Sequence, residues 1–143
     1  MFGNHWEDAR GRYPMSNVLY RGRWIGVTHL YKTDAEGWRI VFVDARKFDK
    51  AWQRDGIFYL ASGEGAYWGK RIDELIAYND ALPRWEKREQ LKVPIVFVDD
   101  NGVASFQDGR HRYAFFRDAG CRKIPVSMNP QSRANARLHG YVA

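Results

Sequence analysis

A chain of 143 residues with 45% hydrophobic and 15% aromatic residues has the size and composition of one ordinary core, which excludes a disordered chain. Its apolar runs fall short of the roughly 20 residues of a membrane-spanning helix, and its single cysteine excludes an internal disulfide framework and a cysteine-built zinc site. A net charge of +6 favours polyanionic partners: a nucleotide or other phosphate-bearing ligand, a nucleic acid or an acidic protein surface.

Residues 1–37 read as a polar, Gly/Asn-containing arm, irregular through Arg23, that ends in the first strand of a hairpin. Trp24–Tyr31 and Trp38–Val43 are rich in β-formers, and Asp34-Ala35-Glu36-Gly37 between them is a turn signal, which predicts that the two pair as that hairpin. Met1–Pro14 is too polar for a signal peptide, so a cytoplasmic protein without a membrane partner is expected. Ala45–Arg54 predicts a short helix stopped by Asp55-Gly56, and residues 61–69 a glycine-rich loop. Over Lys70–Trp85, Ile72, Leu75, Ile76 and Leu82 recur with helical spacing up to Pro83. Val93–Val98 is an apolar run of strand length, and Asp99-Asp100-Asn101-Gly102 turns the chain into a strand over 103–107. A helix follows Asp108-Gly109, with Tyr113, Ala114, Phe115, Phe116 and Ala119 as its apolar residues and Gly120 as its stop. Lys123–Met128 is the last strand, and residues 129–143 form a tail with a short helix over Pro130–His139. The order β-β-α-α-β-β-α-β, without internal repeats, predicts an α+β fold: a small mixed sheet with helices packed on it, centred on residues 38–128.

The chemistry concentrates at Asp108-Gly109-Arg110-His111-Arg112. Arg110, His111 and Arg112 fall in the first turn of the helix, where free N–H groups and the helix dipole already favour an anion. A purely structural helix prefers acidic residues there, and cations on a positive pole are offset by a bound anion, of which phosphate is the leading choice. Asp108 is expected to cap the helix by accepting backbone N–H bonds, with a magnesium or water ligand as the alternative. Surface pairing of an arginine with Asp108 or Asp118, and a packed His111, are the structural alternatives for the triplet. A second cationic constellation is the loop Ser62-Gly63-Glu64-Gly65 followed by Gly69-Lys70-Arg71, which could close over the other side of a phosphate chain or could need glycine only for its turns. It is not a P-loop, because the G-K-[ST] ending is missing.

Asp108–Ala114, with Gly120 and Ile124-Pro125-Val126 after it, resembles the signature of the ParB N-terminal/sulfiredoxin superfamily. Val41-Phe42-Val43-Asp44-Ala45-Arg46-Lys47-Phe48 is similar to the first strand and helix start of that domain, and Phe58–Gly65 with Gly69-Lys70-Arg71 to the glycine-rich loop of its stand-alone members. The resemblance covers about residues 38–128. It implies a ParB/sulfiredoxin-like fold, a nucleotide such as ATP or CTP with magnesium as its metal, and a phosphate site formed by Gly109, Arg110, His111, Arg112, Ser62, Gly63, Glu64, Gly65, Lys70 and Arg71. It further implies a metal-dependent phosphohydrolase or nuclease activity with Asp108, Arg110 and His111 in catalytic roles, where arginines stabilise phosphoryl charge and Asp108 or Glu64 orients water. The alternative is a non-catalytic protein that uses the fold to grip a protein partner or a nucleic acid.

Two departures narrow this. Arg110 stands where sulfiredoxin carries its catalytic cysteine, and Cys121 lies past the helix end, so sulfiredoxin chemistry is not expected. Residues 129–143 after Met128 are too few for the DNA-reading helix-turn-helix of partition proteins. No His/Asp/Glu spacing, including His5 with Glu7-Asp8 or Asp99-Asp100, matches a metal-ligand set. Trp24, Trp38, Trp52 and Trp85 are expected in the core. Trp6, Tyr13, Tyr67 and Trp68 are the aromatics that could stack bases.

Overall fold

The computed structural model describes residues 5–7, 14–20, 23–28, 37–65, 69–81 and 91–143. They form an α+β arrangement, as expected, with strands β1 (His5–Glu7), β2 (Pro14–Tyr20), β3 (Arg23–Thr28) and β4 (Arg39–Asp44). Helices α1 (Ala45–Gln53) and α2 (Gly69–Ala81) follow, then β5 (Leu91–Lys92), β6 (Ile95–Val98) and β7 (Ala104–Asp108). Helix α3 (Arg110–Asp118), strand β8 (Lys123–Met128) and helix α4 (Pro130–Leu138) complete the order. One sheet has the order β1-β2-β3-β5; the other, which carries the core, has the order β4-β8-β6-β7.

Alternation in β4 turns Val41 and Val43 inward, and Asp44 ends the strand by accepting the Lys47 N–H at 2.9 Å, which caps α1. Helix α1 then buries Ala45, Phe48, Ala51 and Trp52 on one stripe. These meet Phe106 of β7 and Tyr113 of α3 in a cluster where Trp52 and Phe106 lie 4.5 Å apart between ring centroids, Phe106 and Tyr113 5.2 Å, and Phe48 and Tyr113 5.4 Å. The buried Tyr113 hydroxyl donates to the Ala45 carbonyl at 3.1 Å, so the start of α3 is anchored to the start of α1. Residues 129–143 close the sheet. Asn129 caps α4 through the Ser132 N–H, Ser132 Oγ accepts the Val98 N–H at 3.1 Å, and Asn135 Nδ2 donates to the Val98 carbonyl at 2.9 Å. Val142 bridges to Val43, and the Ala143 N–H donates to Phe42.

Three local expectations change. Strand β4 does not form a hairpin with β3. It pairs antiparallel with β8, from Arg39 opposite Met128 to Asp44 opposite Lys123, while β3 pairs with β2, from Met15 opposite Thr28 to Tyr20 opposite Arg23. Strand β8 is buried from Ile124 to Met128, so the apolar match with β4 outweighs the turn signal at 34–37. The segment through Arg23, expected to be irregular, therefore supplies strands. The apolar run 93–98 is strand only from Ile95: Pro94 has no N–H to give a ladder, and its carbonyl instead accepts from Ser127 at 2.8 Å. Of the expected helix over Lys70–Trp85, α2 carries Gly69–Ala81 with Ile72 buried. Leu82–Trp85 lie outside the described residues.

Candidate functional site

Strand β7 delivers the chain into α3 through Gly109, which adopts φ +84° at the helix N-cap with no side-chain cap. A Cβ there would stand 2.7 Å from Pro94 Cα and 2.9 Å from Arg112 Nη2, so the turn requires glycine on both conformational and steric grounds. Asp108 is not the helix cap that its sequence position suggests. The left-handed turn moves the capping position to Gly109, and the Asp108 carboxylate instead accepts from Arg112 Nη2 at 3.3 Å, an i,i+4 pair. Arg110 Nη1 donates to the Phe58 carbonyl at 3.1 Å, with its guanidinium 5.5 Å from the Phe58 ring centroid. Phe58, Phe106, Gln107 and the five residues 108–112 line an open cleft of about 460 Å³. The first turn of α3 holds no acidic residue, so helix dipole, Arg110 and Arg112 give the cleft a positive floor. Burial, with the Arg110 charge beside it, pushes the His111 imidazole below its usual range and keeps it neutral near pH 7.

The glycine-rich loop does not face this cleft. Gly63 and Gly65 donate their N–H groups to Asp118 Oδ2 at 3.0 and 2.8 Å, and Asp118 lies a helix length, about 12 Å, from Arg110. The N–H groups of Gly63 and Gly65 thus hold a carboxylate of the same chain, and Ser62, Glu64 and Lys70 are exposed and are not among the residues that line the cleft. The side chain of Arg71 lies outside the described set. Sterics account for the glycines: a Cβ on Gly65 would overlap the Ala114 carbonyl and the Phe115 nitrogen, and one on Gly69 would come 3.2 Å from Phe115 Cε1.

Two features of the region are not evident in sequence. Phe58 forms a wall of the cleft although 57% exposed; an exposed aromatic directly after Gly56-Ile57 is the one local signal for it. Arg117 organises the other end of α3. It bonds Asp49 Oδ1 and Asp118 Oδ1, each at 2.9 Å, and the carbonyls of Leu60 and Ala61, and its guanidinium lies over Trp52 and Tyr59. Tyr59 Oη completes the network by donating to Asp49 Oδ2 at 2.9 Å. Burial alone would raise the Asp118 carboxyl, but Arg117 and the Gly65 and Gly63 N–H groups outweigh it and hold it below the usual range. Cys121 is buried and donates to the Leu19 carbonyl at 3.1 Å, and burial pushes its thiol up to about 11. Trp52 packs in the core as expected, and Trp38 meets Phe97 edge-on. Tyr13, Tyr67, Trp68 and Trp85 lie outside the described residues, and of Trp6 and Trp24 only the backbone is described. Among the described residues no group of three or more His, Cys, Asp or Glu is placed to hold a metal ion, and no helix is long and apolar enough to cross a membrane.

No protein-family model matches the sequence, and no curated protein matches it. Among solved structures, the fold is similar to that of an oncogenic suppression activity protein, a plasmid fertility inhibition factor, crystallised as a gold(I) cyanide derivative. The TM-score is 0.60 at 16% identity, over 92% of this chain and 70% of that one. At that identity the likeness is one of fold.

Proposed function

We propose that this chain is a ParB/sulfiredoxin-like phosphate-binding domain, and that the cleft at Asp108–Arg112 takes the phosphate end of a nucleotide such as ATP or CTP. The observation that carries this reading is the cleft's composition: Arg110, His111 and Arg112 around the positive pole of a helix whose first turn has no acidic residue. Arg110 and Arg112 lie at the positive pole of the helix, Asp108 offsets only Arg112, and a bound oxyanion would offset the charge that remains. The exposed Phe58 ring at the rim suits a nucleobase, which stacks on aromatic faces irrespective of its identity. Asp108 is the one carboxylate among the lining residues, about half exposed. With the nucleotide's own phosphates it is the group that would hold magnesium, which would neutralise phosphoryl charge.

Binding is the better supported part of this reading, because the one carboxylate of the cleft pairs with Arg112 and would have to leave it either to hold magnesium or to orient a water. Phosphohydrolase or nuclease action has one observation behind it, the His111 imidazole held neutral and therefore able to take a proton from water. Thermal unfolding with ATP, CTP and inorganic phosphate, each with and without magnesium, tests the binding reading. Ligand at 100 times its dissociation constant adds about 2.7 kcal/mol of stability, and Arg110→Ala should remove that increment while the unliganded protein still folds. An increment unchanged in Arg110→Ala refutes the site. Product release that is the same in His111→Asn refutes the hydrolytic role. If no phosphate compound stabilises the protein, a protein partner becomes the better reading, because Ile57 and Phe58 present 78% and 57% exposed apolar side chains beside the cleft.

A further inference from the structure

A second cationic concavity lies away from this cleft. Lys47, Lys50 and Arg54 stand at i, i+3 and i+7 along the exposed face of α1 and its C-cap. With Ala51, His139 and Tyr141 they line a shallow pocket of about 200 Å³. The helix dipole accounts for Lys50 and Arg54 near the C-terminus but opposes Lys47 in the first turn, where no acidic residue stands either. Several carboxylates near the pocket's residues are committed elsewhere, and Asp49 pairs with Arg117 and accepts from Tyr59. Asp44 caps α1 through the Lys47 N–H, Asp99 accepts the N–H groups of Asn101 and Val103, and Asp100 accepts from Asn135. Among the described residues neither lysine has an ion-pair partner. Arg54 is held in place by the Asn101 carbonyl at 3.1 Å, and His139 by the Asp100 carbonyl at 3.2 Å, with its ring stacked on Tyr141.

We infer that this pocket is a separate binding site for the backbone of a single-stranded nucleic acid. Three cations spread over about 10 Å of helix match a row of charges, whereas one tetrahedral anion would need them convergent. The pocket is too shallow to enclose a base and its sugar, so a mononucleotide would gain little there. The exposed His139 ring supplies the aromatic surface on which an unpaired base lies. The site shares no lining residue with the nucleotide cleft.

Fluorescence anisotropy with a labelled thymidine oligomer, repeated over a salt series, tests it. Lys47→Gln/Lys50→Gln should weaken binding at low salt and reduce the slope of log affinity against log salt by about 1.4, two phosphate contacts on a single strand. A charge-matched control, Arg39→Gln/Lys70→Gln on exposed residues that line neither this pocket nor the cleft, should leave the slope unchanged. Equal losses in the two variants would mean diffuse attraction to a basic protein and overturn the site. So would a thymidine-oligomer slope that Lys47→Gln/Lys50→Gln leaves unchanged, or heparin binding as tightly as the oligomer and losing as much in that variant. Nucleotide-induced stabilisation at the Arg110 cleft should persist in Lys47→Gln/Lys50→Gln, which separates failure here from failure of the cleft.

Discussion

Replacing Gly65 by alanine puts a methyl group against the backbone of α3 at Ala114 and Phe115. Helix backbone cannot yield without breaking its own hydrogen bonds, so the loop must move. Overpacking of this kind costs about 1–3 kcal/mol. Movement of the loop also lengthens the 2.8 Å bond from the Gly65 N–H to Asp118, and a hydrogen bond to a charged group is worth about 1.5–3 kcal/mol. Together they predict a loss of about 3–5 kcal/mol, which for a domain of this size lowers Tm by on the order of 10 °C. Gly63→Ala is the comparison. Its φ is +94°, but a Cβ at that position would have no atom within 4 Å, so only the left-handed conformation is penalised, about 1–2 kcal/mol. Differential scanning calorimetry of the two variants measures the contrast. A Gly65→Ala melting temperature within two or three degrees of the parent, on the order of a 1 kcal/mol effect, would refute the packing account. A Gly63→Ala variant that folds but loses nucleotide-induced stabilisation would show that the loop grips phosphate after all.

Arg117→Met should destabilise by about 3 kcal/mol, because it leaves Asp49 and Asp118 part-buried without their cation. Urea unfolding should also show its acid transition at higher pH, since the stability from the depressed Asp118 carboxyl is present above the unfolded carboxyl pKa and lost as pH falls through the folded one. The lowered His111 pKa has the corresponding sign: the unfolded chain takes up a proton below about 6.5 that the folded one resists, so stability should fall as pH drops from 6.5 toward the folded value. His111→Asn should flatten that slope, and a slope that survives would place its origin elsewhere. Cys121, buried with its thiol pushed up to about 11, should resist iodoacetamide at pH 8 in the folded protein and react on unfolding in urea. Rapid labelling under native conditions would contradict its burial.

Where a structural choice depends on neighbours along the chain, the sequence by itself determined it. Asp55-Gly56 after Ala45–Arg54, Asp108-Gly109 before α3 and Gly120 after it mark helix ends, and the apolar Tyr113, Ala114, Phe115 and Phe116 mark a buried stripe. The α+β class and the gathering of Arg110, His111 and Arg112 at one helix start were legible for the same reason. Even there a single residue slipped, because the conformation of Gly109 moved the cap off Asp108. Tertiary structure alone decided that β4 joins β8 rather than β3, that the glycine-rich loop binds Asp118 instead of facing the cleft, and that Phe58 walls it. Each of those outcomes brings together groups about fifty residues or more apart, such as Gly65 with Asp118 or Phe58 with Arg110. Turn chemistry and periodicity act within a few residues, whereas burial of apolar surface and pairing of charges are settled among all groups that the fold can bring into contact.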